Sequence, residues 1–211
     1  MKFEINPQSE AYPFGPFLWR TRLPFSVIEQ LKKDGDEVAN PTNNFNTALA
    51  GHIEGQYRYN DKTQYWFYTD CQGVFDEYFK RMYKHYGEEP KDPQIEPTNM
   101  WINYMKKGDY NPPHVHDGQL SYVIFVDVPE ELQKEGSDYP GRGARPGSLQ
   151  FIYGEVSNWS ISNYMIVPQT GDMFIFPAQL RHFVAPYKSD VTRISVSGNL
   201  KVTNFLDDDK M

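Results

Sequence analysis

The sequence has little cysteine, no long apolar run and no excess of positive charge, and each absence excludes a class of protein. The single cysteine among 211 residues, Cys71, cannot form an internal disulfide, which favours a reducing, cytoplasmic compartment. No run approaches the roughly 18 apolar residues of a membrane span, and residues 1–14 lack the apolar core of a signal peptide. The net charge of −7 disfavours general electrostatic binding to nucleic acid. We therefore expect a cytoplasmic protein with neither membrane nor nucleic acid as its partner.

The second half of the chain has the pattern of a β-rich fold. Aromatic residues make up 16% of the sequence, and 16 prolines and 15 glycines supply frequent turns. From Thr98 onward, short β-type runs alternate with turns, and no helical pattern separates them. The runs are 100–105, 120–128, 147–153, 163–168, 171–177, 182–186 and 192–200. This pattern predicts a mainly β protein with flanking helices and a jelly-roll core, also called a double-stranded β-helix.

The first half of the chain indicates helices instead. Apolar residues at helical spacing predict one helix over Pro24–Asp36 and a second over Thr69–Tyr86, with a loop between them. We expect both helices to pack against one sheet. The length suits a single domain, 1–211, with a helical and loop elaboration over 1–96 and the jelly-roll core over 97–200.

The longest predicted irregular connection runs from Pro129 to Pro146 and contains Arg142 and Arg145. A loop of this length in a compact domain is either a lid over a binding site or a surface insertion. The sequence leaves both interpretations open.

Three of the five histidines lie in the strand-rich half and are candidate metal ligands. His114 and His116 stand two residues apart after a double proline, so in an extended chain both side chains face the same way. His182 follows an apolar strand and a proline turn. Imidazole ligands suit iron, zinc, copper or nickel, and three ligands with open positions indicate a catalytic site. The other two histidines, His52 and His85, have no such context.

An arginine near the end of the chain limits the kinds of ligand that the site is expected to bind. Strand alternation places Arg193 and Ser195 on one face, with Ile194 on the other. A guanidinium that points into an apolar core requires a partner, and a carboxylate is the best one. A bound dicarboxylate would satisfy this arginine, and a surface position or a protein carboxylate is the alternative.

Taken in order, these motifs resemble one family. The run WINYMKKGDYNPPHVHDGQLSYVIFVDVP, then GSLQF, then GDMFIFPAQLRHFVAPYKSDVTRISVSGN resembles the 2-oxoglutarate/Fe(II)-dependent oxygenase superfamily. The resemblance is greatest to its prolyl-hydroxylase-like branch, including small members from phages and marine bacteria. It covers residues 97–200 and little of the preceding region.

The resemblance implies a cofactor set and a role for each candidate residue. Fe(II), 2-oxoglutarate and O2 would be the cofactors, with His114, position 116 and His182 as metal ligands. Arg193 and Ser195 would hold the distal carboxylate of 2-oxoglutarate. Tyr104, ten residues before His114, matches a tyrosine that contacts the same carboxylate, although a core aromatic residue is an equal interpretation. Asn103, on the opposite face of the strand, is the alternative polar contact.

One position departs from the pattern of the superfamily, in which the second ligand is usually a carboxylate in H-x-D. Here His116 occupies that place and Asp117 follows it. His116 could complete a three-histidine site, which needs no distortion of the strand. Alternatively, Asp117 could reach the metal through a bulge, or orient one imidazole through its ring N–H.

The resemblance implies hydroxylation of an unidentified substrate, either a peptidyl side chain such as proline or a small molecule. Two alternatives remain at this point. One is a three-histidine metalloenzyme that does not use 2-oxoglutarate, such as a thiol-dioxygenase-like enzyme or a hydrolase. The other is a metal-binding module without catalytic activity.

Overall fold

The computed structural model describes residues 10–13, 15–156, 158 and 161–205. Most of the N-terminal segment in which we expect no signal peptide lies outside these ranges. Within them, eleven strands form two antiparallel sheets, which confirms the mainly β prediction. The strands are β1 (Glu10–Pro13), β2 (Phe17–Arg22), β3 (Gly55–Arg58), β4 (Gln94–Met105), β5 (Asn111–His114), β6 (Leu120–Asp127), β7 (Leu149–Ile152), β8 (Asn163–Ile166), β9 (Asp172–Pro177), β10 (Arg181–Val184) and β11 (Arg193–Thr203).

The two sheets face each other as the jelly-roll core. The larger sheet has the order β1-β2-β9-β6-β11-β4-β3, and the smaller sheet has the order β5-β10-β7-β8. Because successive side chains of a strand alternate between faces, one face of the larger sheet supplies the apolar layer between the sheets. Phe125 and Phe174 of the larger sheet and Phe151 of the smaller one belong to this layer and are fully buried.

The opposite face of the larger sheet packs against helices, as the sequence predicts. They are α1 (Phe25–Val38), α2 (Asp61–Asp70) and α3 (Gln72–Tyr86), whereas a fourth helix, α4 (Glu130–Asp138), buries Leu132 in the core between the sheets. Leu31 of α1 and Phe75 of α3 join the core formed with Ile102 and Val196 of the sheet. None of these described helices is both long enough and apolar enough to cross a membrane.

The prediction of a helical and loop elaboration for the N-terminal region needs correction, because this region contains strands as well as helices. β2 pairs with β9 and β3 pairs with β4, so strands in the described part of residues 1–96 extend the larger sheet at both edges. The predicted helix over Thr69–Tyr86 is also two elements, since α2 ends at Asp70 and α3 begins at Gln72. The asparagine at position 60 caps α2 by accepting a hydrogen bond from the Thr63 N–H at 2.8 Å.

The Pro129–Pro146 connection is not wholly irregular, which corrects the prediction of a long loop. Its first half is helix α4, which buries Leu132 and places Glu135 against the turn after β10. The Glu135 carboxylate accepts hydrogen bonds from the backbone N–H groups of Lys188 and Ser189 at 2.9 and 2.8 Å. Arg142 and Arg145 are exposed.

Candidate active site

Neighbouring strands of the smaller sheet bring the first and last candidate histidines together. His114 is the last residue of β5 and His182 lies in β10, and the two are direct partners across this antiparallel pair. Side chains of directly opposed residues lie on the same face, so both imidazoles point into the space between the sheets. The side chain of His182 is packed against the rings of Phe151 and Phe176 and is 5% exposed.

His116 lies just beyond the end of β5, in a turn that the backbone holds firmly. Its N–H donates to the Ala178 carbonyl at 2.9 Å, and its own carbonyl accepts from the Gln179 side chain at 3.1 Å. Gly118 follows with φ +92°, and a Cβ atom there would lie 2.7 Å from the Leu200 carbonyl oxygen. Only glycine fits this conformation and this close approach, so Gly118 allows the chain to turn into β6 without moving His116.

The three imidazoles form one cluster. One ring nitrogen from each of His114, His116 and His182 lies within 4.8 Å of the others, the one such group of potential metal ligands found among the described residues. The Nε2 atoms of His116 and His182 are 3.2 Å apart. Two nitrogens bound to one ion at about 2.1 Å and at a right angle would be about 3 Å apart. The spacing of this pair therefore fits two ligands of a single metal ion.

The hydrogen bonds of two of these rings determine which nitrogen is available. The Nδ1 atom of His114 is 2.7 Å from the Pro112 carbonyl, and that of His182 is 2.8 Å from the Leu180 carbonyl. A carbonyl oxygen only accepts, so each Nδ1 carries the proton and donates it. Each Nε2 therefore presents a lone pair to the centre of the cluster, as metal binding requires.

The surroundings also keep these imidazoles uncharged. Burial, together with the smaller effect of the nearby His114, lowers the pKa of His116 to about 4. Burial is the main cause of the lowered pKa of His114 as well, and it holds the pKa of His182 well below its usual value. Neutral imidazole is the metal-binding form, so no proton has to leave these rings when a metal binds at neutral pH.

These pKa values predict that the metal-free protein loses stability on mild acidification. Between the unfolded pKa of about 6.5 and the lowered folded pKa, the unfolded chain binds protons that the folded chain rejects, so stability falls as pH falls. His116 alone should lower the free energy of unfolding by about 2 kcal/mol between pH 7 and pH 5. Urea unfolding at a series of pH values measures this slope. The His116→Asn variant should have a shallower slope, and an unchanged slope would contradict the assignment.

The alternative ligand, Asp117, does not join the cluster. Its side chain is exposed, and the described metal-ligating group contains His116 and not its neighbour. Asp117 instead lines an outer cavity beside the histidines. Of the three arrangements that the sequence leaves open, the geometry favours His116.

Arg193 is the first residue of β11 and lies in the same space between the sheets, at the end away from the histidines. The side chain is buried, and the guanidinium lies 5.3 Å from the centre of the Phe125 ring. One Nη donates to the Gly147 carbonyl at 2.9 Å and the other lies 2.9 Å from the Met105 sulfur, while the buried Nε has no partner. Among the described residues no carboxylate forms an ion pair with it. Burial lowers the pKa of Arg193 to about 10, which still leaves it charged at neutral pH.

A narrow inner cavity connects this arginine with the histidines. Its free volume is about 40 Å3, and its walls include all three imidazoles, Arg193 and the buried Ser195. Ser195 pairs with Asn103 across the β11–β4 ladder, and the Asn103 side chain also lines the cavity. The cavity therefore places a cation and polar side chains at one end and a metal-binding cluster at the other.

Tyr104 is not part of this cavity, which corrects its assignment to the co-substrate site. Successive residues of β4 face opposite ways, so Tyr104 points to the helical side of the sheet when Asn103 points inward. The Tyr104 hydroxyl donates to the Asp36 carboxylate of α1 at 2.7 Å. Its ring packs beside that of Tyr57. Asn103, the alternative contact, occupies the inward position.

An outer cavity of about 390 Å3 adjoins the histidines on the solvent side. One of its walls is the segment Ala48–Ala50, and Ile53 of the same connection reaches the inner cavity. The stacked rings of His52 and Tyr110 attach this connection to the start of β5. The sequence alone does not predict a role for this segment, because only tertiary contacts bring it to the site.

Comparison with known proteins agrees with this architecture. Residues 99–199 match the family model described as "Putative 2OG-Fe(II) oxygenase". None of the curated proteins matches the chain significantly. Among solved structures, a Pseudomonas putida prolyl-4-hydroxylase is similar with a TM-score of 0.51 and 14% identity, over 89% of this chain and 93% of that chain.

Two further solved structures share the fold. The viral collagen prolyl hydroxylase of Paramecium Bursaria Chlorella virus-1, solved with 2OG, has a TM-score of 0.57 and 13% identity over 88% of this chain and 96% of that one. A Trichoplax adhaerens prolyl hydroxylase, solved with a hypoxia inducible factor peptide fragment, has a TM-score of 0.50 and 13% identity over 85% and 75%. Identities this low establish the fold and not the substrate.

The fold and the histidine cluster define a metal-dependent enzyme built on a double-stranded β-helix. The chain matches the 2-oxoglutarate/Fe(II)-dependent oxygenase family over residues 99–199, the segment that contains all three histidines and Arg193. It is accordingly an oxygenase whose cofactors are Fe(II), 2-oxoglutarate and O2.

Proposed function

We propose that the protein is a hydroxylase in which His114, His116 and His182 hold Fe(II) and Arg193 with Ser195 holds the distal carboxylate of 2-oxoglutarate. The observation that carries the proposal is the unpaired charge of Arg193. An isolated buried guanidinium is costly, and a ligand carboxylate is the partner that satisfies it best. The unpartnered Nε supports this interpretation, since it leaves one donor of the guanidinium available.

Each group of residues has a distinct task in this proposal. The neutral Nε2 atoms of the histidines bind the metal, and the carbonyls of Pro112 and Leu180 fix the orientation of two of the rings. Arg193 and Ser195 orient the co-substrate along the cavity. Apolar walls such as Phe125 and Phe176 exclude water from the interior. When bound, Fe(II) and 2-oxoglutarate supply the activation of O2 that hydroxylation requires.

For the substrate, we propose a peptidyl side chain. The outer cavity lies directly beside the histidines and is far larger than the inner one, so it can receive a side chain that projects from an extended peptide. Two proteins of the same fold are described as a collagen prolyl hydroxylase and as a prolyl hydroxylase bound to a peptide fragment. A small molecule is the alternative, and nothing in the lining favours it specifically.

One alternative is a three-histidine enzyme that does not use 2-oxoglutarate. Only the set of three metal-binding histidines favours it. Three imidazoles without a carboxylate would serve a thiol-dioxygenase-like enzyme or a hydrolase equally well. Such an enzyme has no use for a buried cation at the far end of the cavity. Arg193 therefore decides between the two functions.

Succinate release tests the proposed function. With Fe(II), 2-oxoglutarate and O2, we expect the protein to form succinate, and we expect none without iron or under argon. A panel of proline-containing peptides should stimulate this release and gain the mass of one oxygen atom. Succinate formation without any modified peptide would contradict the peptidyl substrate alone, whereas no succinate under any condition would contradict the hydroxylase itself.

A further inference from the structure

A set of buried amide and indole groups lies behind the serine side of the inner cavity. The Asn103 side-chain oxygen accepts hydrogen bonds from the Gln56 side-chain amide at 2.8 Å and from the Trp101 indole N–H at 3.1 Å. The Asn103 amide nitrogen faces the hydroxyl oxygens of Ser195 and Ser197, each at 3.5 Å, and the Ser195 carbonyl at 3.3 Å. Three neighbouring strands, β3, β4 and β11, contribute to this network.

The chemistry of these groups fixes the direction of every hydrogen bond. An indole N–H can only donate, so the Asn103 atom beside Trp101 must be its oxygen. The Gln56 atom beside that oxygen must then be its nitrogen, and the Asn103 nitrogen must point at the serines. Since the serine oxygens face N–H donors, their own O–H groups are directed elsewhere. Among the described residues, neither serine hydroxyl donates to an acceptor of the protein.

The free donors point to the cavity that holds the arginine. Ser195 and Ser197 both line it, in a row that begins with Arg193. Ser197 pairs with Trp101, whose ring lies 5.9 Å from that of His116, so the row runs from the arginine towards the histidines. A row of O–H donors beside a cation is suited to an anionic ligand, because hydrogen bonds to a charged acceptor are the stronger ones and the cation adds an ion pair.

We propose that Asn103 is a positioning residue for the co-substrate, because it holds the Ser195 and Ser197 hydroxyls with their protons directed at the carboxylate of 2-oxoglutarate. Gln56 and Trp101 both donate to the Asn103 side-chain oxygen, which prevents the amide from rotating and exchanging its oxygen and nitrogen. The inference rests on the proposed function, since it takes 2-oxoglutarate as the ligand of Arg193. It adds that the affinity for the co-substrate depends on the Asn103 side-chain amide. This amide donates to the serine oxygens, so the serine hydroxyl protons remain available to the ligand.

The burial of the network supports a role beyond packing. Gln56 is 1% and Asn103 6% exposed, and the side-chain amide oxygen of Gln56 is buried without a partner among the described residues. Buried polar groups that lack partners are destabilising, and apolar residues of similar size would fill the same space at lower cost. If the network orients the serine hydroxyls that donate to the ligand, its position beside the cavity and its hydrogen bonds to the lining serines are explained.

Two variants and two ligands test the proposal. Asn103→Leu removes the amide at similar volume and adds no charge, and Asn103→Asp replaces the N–H donor by an acceptor. Binding of 2-oxoglutarate is compared with binding of 2-oxobutyrate, which lacks the distal carboxylate, to the Fe(II)-loaded proteins without O2. Asn60→Asp, at the exposed cap of α2, controls for an added charge far from the cavity.

We expect Asn103→Leu to weaken 2-oxoglutarate binding about tenfold and Asn103→Asp about a hundredfold, as a hydrogen bond to a charged group implies. Binding of 2-oxobutyrate to the Leu variant should change by less than about twofold. A double-mutant cycle with Ser195→Ala should be non-additive, because Asn103 acts through that hydroxyl. Equal losses for both ligands, no loss for either, or an additive cycle would each overturn the proposal. If the wild-type protein did not bind 2-oxoglutarate at all, the proposed function itself would be wrong.

Discussion

Replacement of Arg193 by methionine should abolish detectable 2-oxoglutarate binding and, at the same time, make the ligand-free protein more stable. Arg193 is 2% exposed and has no carboxylate partner among the described residues. The desolvation cost of such a cation is several kcal/mol, which exceeds the contribution of its hydrogen bond to the Gly147 carbonyl. Methionine fills a similar volume without charge, so we expect a gain of about 1 kcal/mol in the free energy of unfolding.

The loss of binding in the same variant should be large. A guanidinium that binds a buried carboxylate typically contributes 2 kcal/mol or more, so we expect affinity for 2-oxoglutarate to fall at least about a hundredfold. Fe(II) binding should not change, because Arg193 lies at the other end of the cavity from the histidines.

Thermal unfolding with and without 2-oxoglutarate, together with an iron titration, measures all three effects. Arg81→Met is the matched control. Arg81 forms a surface ion pair with Glu77 within α3, and its loss should alter stability by less than about 1 kcal/mol and leave 2-oxoglutarate binding intact. If Arg193→Met bound 2-oxoglutarate as tightly as the wild-type protein, the arginine would have another role.

Loss of the His116 side chain should strongly weaken metal binding, and loss of the neighbouring Asp117 side chain should have almost no effect. Nε2 of His116 lies 3.2 Å from that of His182 within the ligand cluster, whereas Asp117 is exposed and outside it. Loss of an outer-shell partner alone costs about 10- to 100-fold in metal affinity, so His116→Ala, which removes a ligand, should cost at least a hundredfold. Asp117→Ala should change affinity by less than about twofold.

Iron content after dialysis, measured for both variants and for His116→Asp, separates the possible ligand sets. His116→Asp recreates the H-x-D pattern that is usual in the superfamily and should retain more iron than His116→Ala. Retention of iron by His116→Ala together with its loss from Asp117→Ala would identify the carboxylate as the ligand. Near-ultraviolet circular dichroism of each metal-free variant checks that its fold is unchanged.

Strand periodicity predicted the parts of the site that lie on strands. The alternation along β11 is a local property, because a side chain on a strand has only two directions to choose from. His116 lies in the turn after β5, so strand alternation does not account for its place in the cluster. Alternation also allows only one of Tyr104 and Asn103 to face the cavity. In the ladder Tyr104 pairs with Ile194 and Asn103 with Ser195, so the tyrosine lies on the face opposite the arginine. The resemblance suggested Tyr104 by its distance from His114 along the chain, with Asn103 on the opposite face as the alternative, and the register of β4 against β11 selects Asn103.

Elements that depend on tertiary contacts escaped prediction. β3 has four residues, and the burial of Gln56 in it reflects pairing with β4, which is distant in sequence. Only Leu132 and Gly136 of α4 are buried, so this nine-residue helix has a single large apolar side chain to reveal it in the sequence. In α2 the cap at Asn60 was a visible signal, but the aromatic run that follows it favours strand as much as helix.

The most direct test of the account is an anaerobic titration of the protein with Fe(II) and then with 2-oxoglutarate. If the three histidines hold the metal and Arg193 holds the co-substrate, the second titration should produce the weak visible charge-transfer band of their chelate. The same addition should raise the unfolding temperature. Absence of the band in the iron-loaded protein, together with an unchanged unfolding temperature, would contradict the account.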